Sequence, residues 1–473
     1  MTTFYWYDLE TSGTASRWDR ITQFAGLRTD AELNETGEVE SFHVRLPDDV
    51  LPNPDAALVT GLTPQMLRDS GVSEWTALRR INALFAVPGT CTVGFNTLRF
   101  DDEFVRHGLY RNLMDPYARE FRNGNSRWDI MDLVRATGAL RREGLEWPVD
   151  QEGLPVYRLG ELTRANGIEH GQAHDALSDV RATLGLARRL RAAQPRLFDY
   201  YLTLRDKSRV RALLEPPGAQ LCVHVSAMYP RSRRGLAPIV SVGRHPTNAN
   251  VMIVADVSQD IDGLLEWTED RIRTELYRPD NPARPPLKEV RINRCPFIAT
   301  ADVLEDEHWV SLGITRREAA ERQRRLRRTD VAQKILRVFA PRPRTPAEDV
   351  EAQLYDAFLP DADRGRAETL QGALEEGRWT DLDFRDRRLP LLAARLKARS
   401  FPALLDDGER ADWDAFVRDK LSSAGPWLGL DRYRARIGEL MNERGQSSTR
   451  DAELLGALRA HGVDIAARYD LGG

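Results

Sequence analysis

Asp8 and Glu10 stand one residue apart at the end of an apolar and aromatic run, Phe-Tyr-Trp-Tyr, residues 4–7. On a strand, residues two apart share a face, so both carboxylates point the same way. Two like charges held together are costly unless a cation neutralises them. An exposed pair of strand-end acids would need no cation, and one Asp-x-Glu does not separate the two readings. Two further stretches favour the cation. Residues 94–104, "GFNTLRFDDEF", place Asp101 and Asp102 at a helix start after a strand and a short turn. Residues 169–190, "EHGQAHDALSDVRATLGLARRL", place His174 before a helix and Asp179 in its first turns. Asp175 is the expected N-cap, its carboxylate accepting free first-turn amides. Residues five apart on a helix lie on different faces, so His174 is expected on the preceding loop and Asp179 facing inward.

These residues need elements to carry them. Strands are expected at 4–9, 24–29, 40–46 and 90–96, and helices at 63–71, 75–87, 99–113, 128–140 and 176–193. Thr63, Pro64 and Gly71 supply the cap, first turn and stop of the first helix. A connector spans 192–207. From about residue 220 the texture turns to strands, "LCVHVSAMY", "LAPIVSVGRHP", "NVMIVADV" and "EVRINRCPFIAT", separated by Pro- and Asn-containing turns. A helical stretch covers 315–340, "PRPRTP" at 341–346 reads as a linker, and the remainder is helical. The basic run "RRLRR" (324–328) follows Glu318 and Glu321, which predicts a solvated helix face with local ion pairs. No internal repeat is evident.

With 473 residues the chain is too long for one ordinary core. Apolar residues at 41% and charged residues at 30% fit a water-soluble globular enzyme. No window approaches the roughly 20 apolar residues that span a bilayer, and the N-terminus lacks the pattern of a secretory signal. Cys91, Cys222 and Cys295 are odd in number and match no zinc spacing, so they are expected as reduced, packed thiols of a cytoplasmic protein. A net charge of −4 excludes a polycation, so any nucleic-acid partner must meet a local basic groove.

The acidic stretches resemble the three motifs of the DEDD exonuclease superfamily. They are Asp-x-Glu-Thr at Asp8–Thr11, Asn-x-x-x-Phe-Asp at Asn96–Asp101, and His-x-x-x-x-Asp at His174–Asp179, in the superfamily's order. A histidine five before the aspartate marks the DEDDh branch. "RITQFAGLRTD" (20–30), "VTGLTPQ" (59–65), "NSRWDIMDL" (125–133), "LTRANGIEH" (162–170) and "QPRLFDYY" (194–201) resemble the bacterial exodeoxyribonuclease I family. "NRCPFIA" (293–299) and "AQLYDAFLPDADR" (352–364) extend the likeness over essentially the whole chain. The resemblance implies an α/β RNase H-like exonuclease domain (1–192), an SH3-like β-barrel domain (195–343) and an all-helical C-terminal domain (347–473). Together these would close a groove over single-stranded DNA.

It also implies a 3′-to-5′ exonuclease of single-stranded DNA, releasing deoxynucleoside 5′-monophosphates in DNA repair and recombination. Two Mg²⁺ ions, replaceable by Mn²⁺, suit a cluster of Asp8, Glu10, Asp101 and Asp179. His174 would take a proton from the attacking water. Asp101 directly follows Phe100 as in the family motif, while Asp102 is expected to face outward. Glu10 and Thr11 resemble residues that meet the substrate's 3′ end, and Arg106, Tyr117, Arg135 and Arg158 fall where the family contacts phosphates or bases. Each of these arginines could equally be a surface ion pair. The family further implies docking of the acidic, Phe-ended tail of single-stranded DNA-binding protein, for which Arg141 and Tyr200 offer a cation and a ring. No membrane partner is expected, and the protein is expected as a monomer. An exoribonuclease of the same branch is usually about half this length. A binding module that has lost catalysis would need a broken acid, and every acid is present.

Overall fold

A computed structural model describes residues 2–171, 175–341, 345–445 and 448–471. The opening aromatic run lies in a strand covered on both faces. β1 (Thr3–Thr11) pairs antiparallel with β2 (Ile21–Thr29), and β2 with β3 (Glu35–His43). β4 (Thr90–Gly94) and β5 (Ser126–Asp129) add in parallel on the other side, giving the order β3-β2-β1-β4-β5. Alternation along β1 sends Tyr5, Tyr7 and Leu9 towards Phe24 and Phe85. Phe4 and Trp6 face Trp128 and the helix Ala176–Ala193 through Val180, Leu184 and Ala187. Asp8 and Glu10 continue this second face, so the same helix that covers the core also delivers Asp179 to them. Gly94 lets the end of β4 approach closely, since a Cβ there would lie 2.6 Å from the Tyr7 carbonyl oxygen.

The second sheet is antiparallel throughout, its strands running side by side as Phe297–Thr300, Leu221–Val225, Leu236–Arg244, Val251–Asp256 and Leu287–Arg291. It shares one continuous core with the first sheet. Trp128 meets Phe198 edge-on at 5.1 Å, and the Tyr201 hydroxyl donates to the Cys295 carbonyl at 2.8 Å. All three cysteines are buried free thiols, and burial pushes the Cys222 thiol up to about 12. Among the described residues no helix is long and apolar enough to cross a membrane.

The C-terminal part contains the helices Asp361–Glu375, Arg388–Ser400, Asp407–Ser422, Leu430–Arg444 and Thr449–Arg468. Leu389, Leu392 and Leu396 join Phe85, Phe104 and Leu109 in one cluster, so this part is packed directly on the first sheet's helices. Buried ion pairs cross the same boundary. Asp49 accepts from Arg399 and Lys420 at 2.6 and 2.7 Å, and Glu351 accepts from Arg20 at 2.8 Å. Burial alone would push the Glu351 carboxyl up, but Arg399, Arg20 and Lys420 hold it well below 4.5. A depressed carboxyl contributes stability that is present above its unfolded value and lost as pH falls below it. Melting temperature is therefore expected to hold from neutral pH to 4.5, an unfolded glutamate's value, and fall below it. Thermal melts across that range check this, and Glu351→Gln should flatten part of the slope.

Several elements differ from the sequence expectation. The third strand is Glu35–His43 rather than 40–46, because it is an edge strand with a mostly exposed, polar first half. Ser126–Asp129 is a strand too short to separate from the helix Ile130–Leu140 that Asp129 caps. The connector is two helices, Pro195–Thr203 and Lys207–Leu214. "EVRINRCPFIAT" is two strands, broken by a turn in which Cys295 has φ 45°. The stretch 315–340 is two helices, Arg316–Leu326 and Thr329–Val338, broken where Arg328 turns extended. Within "RRLRR", Arg325 pairs with Asp262 and Arg328 with Asp330, while Glu318 caps Thr315 instead.

Candidate active site

Carboxylate oxygens of Asp8, Glu10 and Asp179 all lie within 4.8 Å of one another. Asp101, 4% exposed, enters from the first turn of the helix Asp101–Arg111. Its Oδ1 accepts the Leu9 amide at 3.2 Å, which fixes it against β1 between the two acids of that strand. The turn before it is held by Asp129, which accepts the Asn96 amide at 2.9 Å and the Leu98 amide at 3.1 Å. Asp175 caps the helix of Asp179 as expected, accepting the Ser178 amide at 3.2 Å.

Burial and repulsion between neighbouring acids dominate the cluster among the described residues. Burial, then Asp8 and Asp179, push the Glu10 carboxyl up to about 9. Asp8 is raised by burial and by Asp101 and Asp179, and Asp101 by burial and by Asp102 and Asp129. Such a group either keeps protons or takes up cations. Among the described residues one other trio has similar spacing, Glu305, Glu307 and His308. There both glutamates are exposed, and His308 Nδ1 accepts the Glu305 amide as part of a helix cap.

Asp102 does not face outward. It is 1% exposed and accepts from the Tyr7 hydroxyl at 2.9 Å, Arg119 at 2.7 Å and Arg127 at 2.6 Å. Burial pushes its carboxyl up, yet the two guanidiniums hold it well below the usual range. The helix start lies inside the molecule, so both acids of its first turn point inward.

His174 lies outside the described residues. The described histidine at the cluster is His170, whose Nε2 is 2.5 Å from Asp179 Oδ1. Its Nδ1 is 3.1 Å from Thr163 Oγ1, a hydroxyl also within reach of the Leu159 carbonyl at 2.9 Å. Sequence reading missed His170 because a motif histidine four residues later drew the assignment. Asp129 was also missed, although a polar residue before the apolar run Ile-Met signals an N-cap.

The candidate substrate contacts occupy different settings. Thr11 Oγ1 donates to the Gly13 carbonyl at 2.7 Å. Arg106 is buried and bound twice to Glu120, at 2.7 and 2.9 Å, and to Glu103 at 3.0 Å. Arg135 pairs with Asp132 at 3.1 Å, and the exposed Arg158 with Glu161 at 3.1 Å. Tyr117 lies under the Arg106 guanidinium at 5.7 Å and meets Phe358 edge-on at 6.1 Å. Phe358, 80% exposed, was not singled out from the sequence. These rings border a cavity of about 450 Å³ that Met114, Arg79, Arg122 and Arg364 also line. On another face, Arg141 donates to the Val303 carbonyl at 3.0 Å and pairs with Glu305 at 3.3 Å. Tyr200 donates to the Ile298 carbonyl at 2.7 Å and packs on Phe297.

Three family models match in succession: Exonuclease over residues 5–187, Exonuclease I SH3-like domain over 205–341, and Exonuclease I C-terminal domain over 348–465. Exodeoxyribonuclease I of Escherichia coli strain K12 is 43% identical over 419 residues, 87% of this chain and 88% of that protein. A crystal structure of E. coli exonuclease I in complex with a dA16 oligonucleotide superposes with a TM-score of 0.93. At 40% identity that match covers 98% of this chain and 100% of the other. An SSB/exonuclease I complex with the inhibitor CFAM gives 0.90 at 39% identity, covering 98% and 100%. Because the likeness runs through the acidic cluster, both sheets and the terminal helices, the chain belongs to the exodeoxyribonuclease I family.

Proposed function

We propose that this enzyme removes nucleoside 5′-monophosphates from the 3′ end of single-stranded DNA by Mg²⁺-dependent hydrolysis, in DNA repair and recombination. The observation that carries this reading is the convergence of Asp8, Glu10 and Asp179 within 4.8 Å, with Asp101 beside them. The donor set fits a hard divalent cation, since it is all carboxylate oxygen and burial, then repulsion from neighbouring acids, raises Asp8 and Glu10. Asp8, Glu10, Asp101 and Asp179 would hold two Mg²⁺ ions, with Mn²⁺ as a substitute. Bound there, the ions supply charge neutralisation at the phosphate and a more acidic water. Thr11, next to Glu10, receives the 3′-terminal sugar, and His174 accepts the proton of the attacking water. The exposed Phe358 ring and its neighbour Tyr117 give unpaired bases a surface to stack on, which favours a single strand over a duplex. Arg106, already paired to internal acids, acts on the strand by holding the Tyr117 ring, Arg135 stays paired to Asp132, and the exposed Arg158 can exchange its Glu161 partner for phosphate.

The deciding experiment is digestion of matched single-stranded DNA and RNA, each with a free or blocked 3′ end, in Mg²⁺ and in EDTA. Mononucleotide release from DNA with a free 3′ end, in Mg²⁺ alone, is expected. Release from RNA only would make the chain an exoribonuclease, and tight binding without release would make it a single-strand binding module.

We also propose that the monomer docks the acidic, Phe-ended tail of single-stranded DNA-binding protein beside Arg141 and Tyr200. Support comes from the partly exposed Arg141 and the nearby groove of Trp309, Val310, Ile314 and Arg316. Tyr200 contributes its ring, because its hydroxyl is already donated to Ile298. Arg141→Ala is expected to weaken a fluorescent tail peptide several-fold, about 1 kcal/mol for an exposed pair, without slowing digestion of naked DNA. Anisotropy titrations at low and high salt check this, and identical isotherms would place the docking elsewhere.

A further inference from the structure

The loop joining β1 to β2, residues 12–20, follows Glu10 and Thr11 directly. It is pinned at both ends, because the Ser12 amide donates to the Arg20 carbonyl at 2.8 Å and the Arg20 amide to Ser12 Oγ at 2.9 Å. Inside it, Asp19 accepts the Ala15 amide at 2.8 Å. A Cβ at Gly13 would lie 2.4 Å from that same Asp19 carboxylate, so glycine there leaves the carboxylate in place on the Ala15 amide. The Thr11 hydroxyl donates to Gly13, and the side chain beside Glu10 therefore depends on the loop's path.

What supports the loop from beneath comes from far along the chain. Arg20, 1% exposed, donates to the Trp18 carbonyl at 2.7 Å and to Glu351 at 2.8 Å. Arg111 donates to the Ser16 carbonyl at 3.0 Å, and its Nε lies 3.9 Å from the same Glu351 oxygen. Glu74 is the second anion, 2.9 Å from Arg111 and 3.5 Å from Arg20. Two buried guanidiniums under one loop repel unless both anions are present. Glu351 is itself held by Arg395 at 2.9 Å and Arg399 at 2.7 Å, both on the helix Arg388–Ser400. The same C-terminal part presses Trp427 edge-on against Trp18 at 5.5 Å.

We infer that Glu351, seconded by Trp427, is a positioning residue for the reaction centre. The helical part of the chain sets the 12–20 loop, and through it Thr11 and Glu10. This goes beyond covering the strand, and it rests on the hydrolase reading above. The test uses full-length protein and thymidine 5′-(4-nitrophenyl) phosphate, a one-nucleotide ester too small to need any clamp. Its metal-dependent hydrolysis by the unsubstituted chain is measured first, and failure there would count against the hydrolase reading itself. Glu351→Gln is expected to lower kcat/KM on this ester about tenfold or more, as a misplaced reacting group does. Amide exchange in residues 12–20 of the metal-free protein should quicken by about the same factor. Glu351→Asp, which keeps the charge, should recover part of both. If Glu351→Gln does not fold, Trp427→Ala takes its place, with a smaller loss of several-fold expected because no buried charge is stranded. Ester hydrolysis at the unsubstituted rate by a folded Glu351→Gln protein, or by Trp427→Ala in its stead, would overturn the inference.

Discussion

Asp8→Asn should lose nearly all turnover, roughly three orders of magnitude or more, because several kcal/mol of charge stabilisation leave with the cation. Asp179→Asn should behave alike, since its oxygen lies within 4.8 Å of those of Asp8 and Glu10. Binding of single-stranded DNA should survive in both, because the stacking surface proposed at Tyr117 and Phe358 uses none of the cluster's carboxylates. The variants should also differ from ordinary destabilised proteins. In the cation-free state the Glu10 carboxyl sits at about 9, raised from 4.5 by burial and by its acidic neighbours. A raised acid keeps its proton in the folded state, so cation-free stability falls as pH rises from 4.5 towards 9. Removing one acid relieves that repulsion, so the cation-free variants should melt no lower than the unsubstituted protein while losing the stabilisation that Mg²⁺ confers. Turnover in Mg²⁺, gel shifts in EDTA and melts with and without the cation together check this. Near-normal hydrolysis by either variant would remove the metal assignment.

His174→Ala should slow single-turnover cleavage by roughly two to four orders of magnitude, the usual contribution of a positioned base. His170→Ala provides the contrast. His170 touches Asp179 at 2.5 Å and is steadied by Thr163, so its removal should act through that aspartate. Losses of about 10- to 100-fold are typical when the partner of a metal-binding side chain is deleted, and they come with weaker metal affinity. Single-turnover rates and Mg²⁺ titrations separate the two roles. A larger rate loss for His170→Ala, with metal affinity intact, would transfer the base role to it.

The site was readable in the chain to the extent that its chemistry is local. Asp-Leu-Glu is a two-residue spacing on one strand and Asp179 follows the Asp175 cap in one helix's first turns, so periodicity places each locally, while the resemblance to three ordered motifs brings them together. Asp102 was misjudged because its partners, Tyr7, Arg119 and Arg127, converge from three separate elements. Burial of an acid by distant arginines leaves no local pattern. Phe358 is a similar case, since one exposed ring gains meaning only beside Tyr117, which comes from another part of the chain. Among the elements, β3 was displaced because an edge strand need not alternate, and β5 was absorbed because four residues precede a strong helix.

The reach of the Arg20–Glu351 pair has a consequence for synthesis. The two residues are 331 positions apart. At roughly 5–20 residues per second, a ribosome emits the glutamate roughly 15–65 s after the arginine. From the emergence of Arg111 until that of Glu351, the nascent amino-terminal portion carries Arg20 and Arg111 with Glu74 but without Glu351, and the loop beside Thr11 lacks part of its floor. The molecule thus matures last where it acts first, and a polypeptide released early leaves the ribosome without a finished cutting edge.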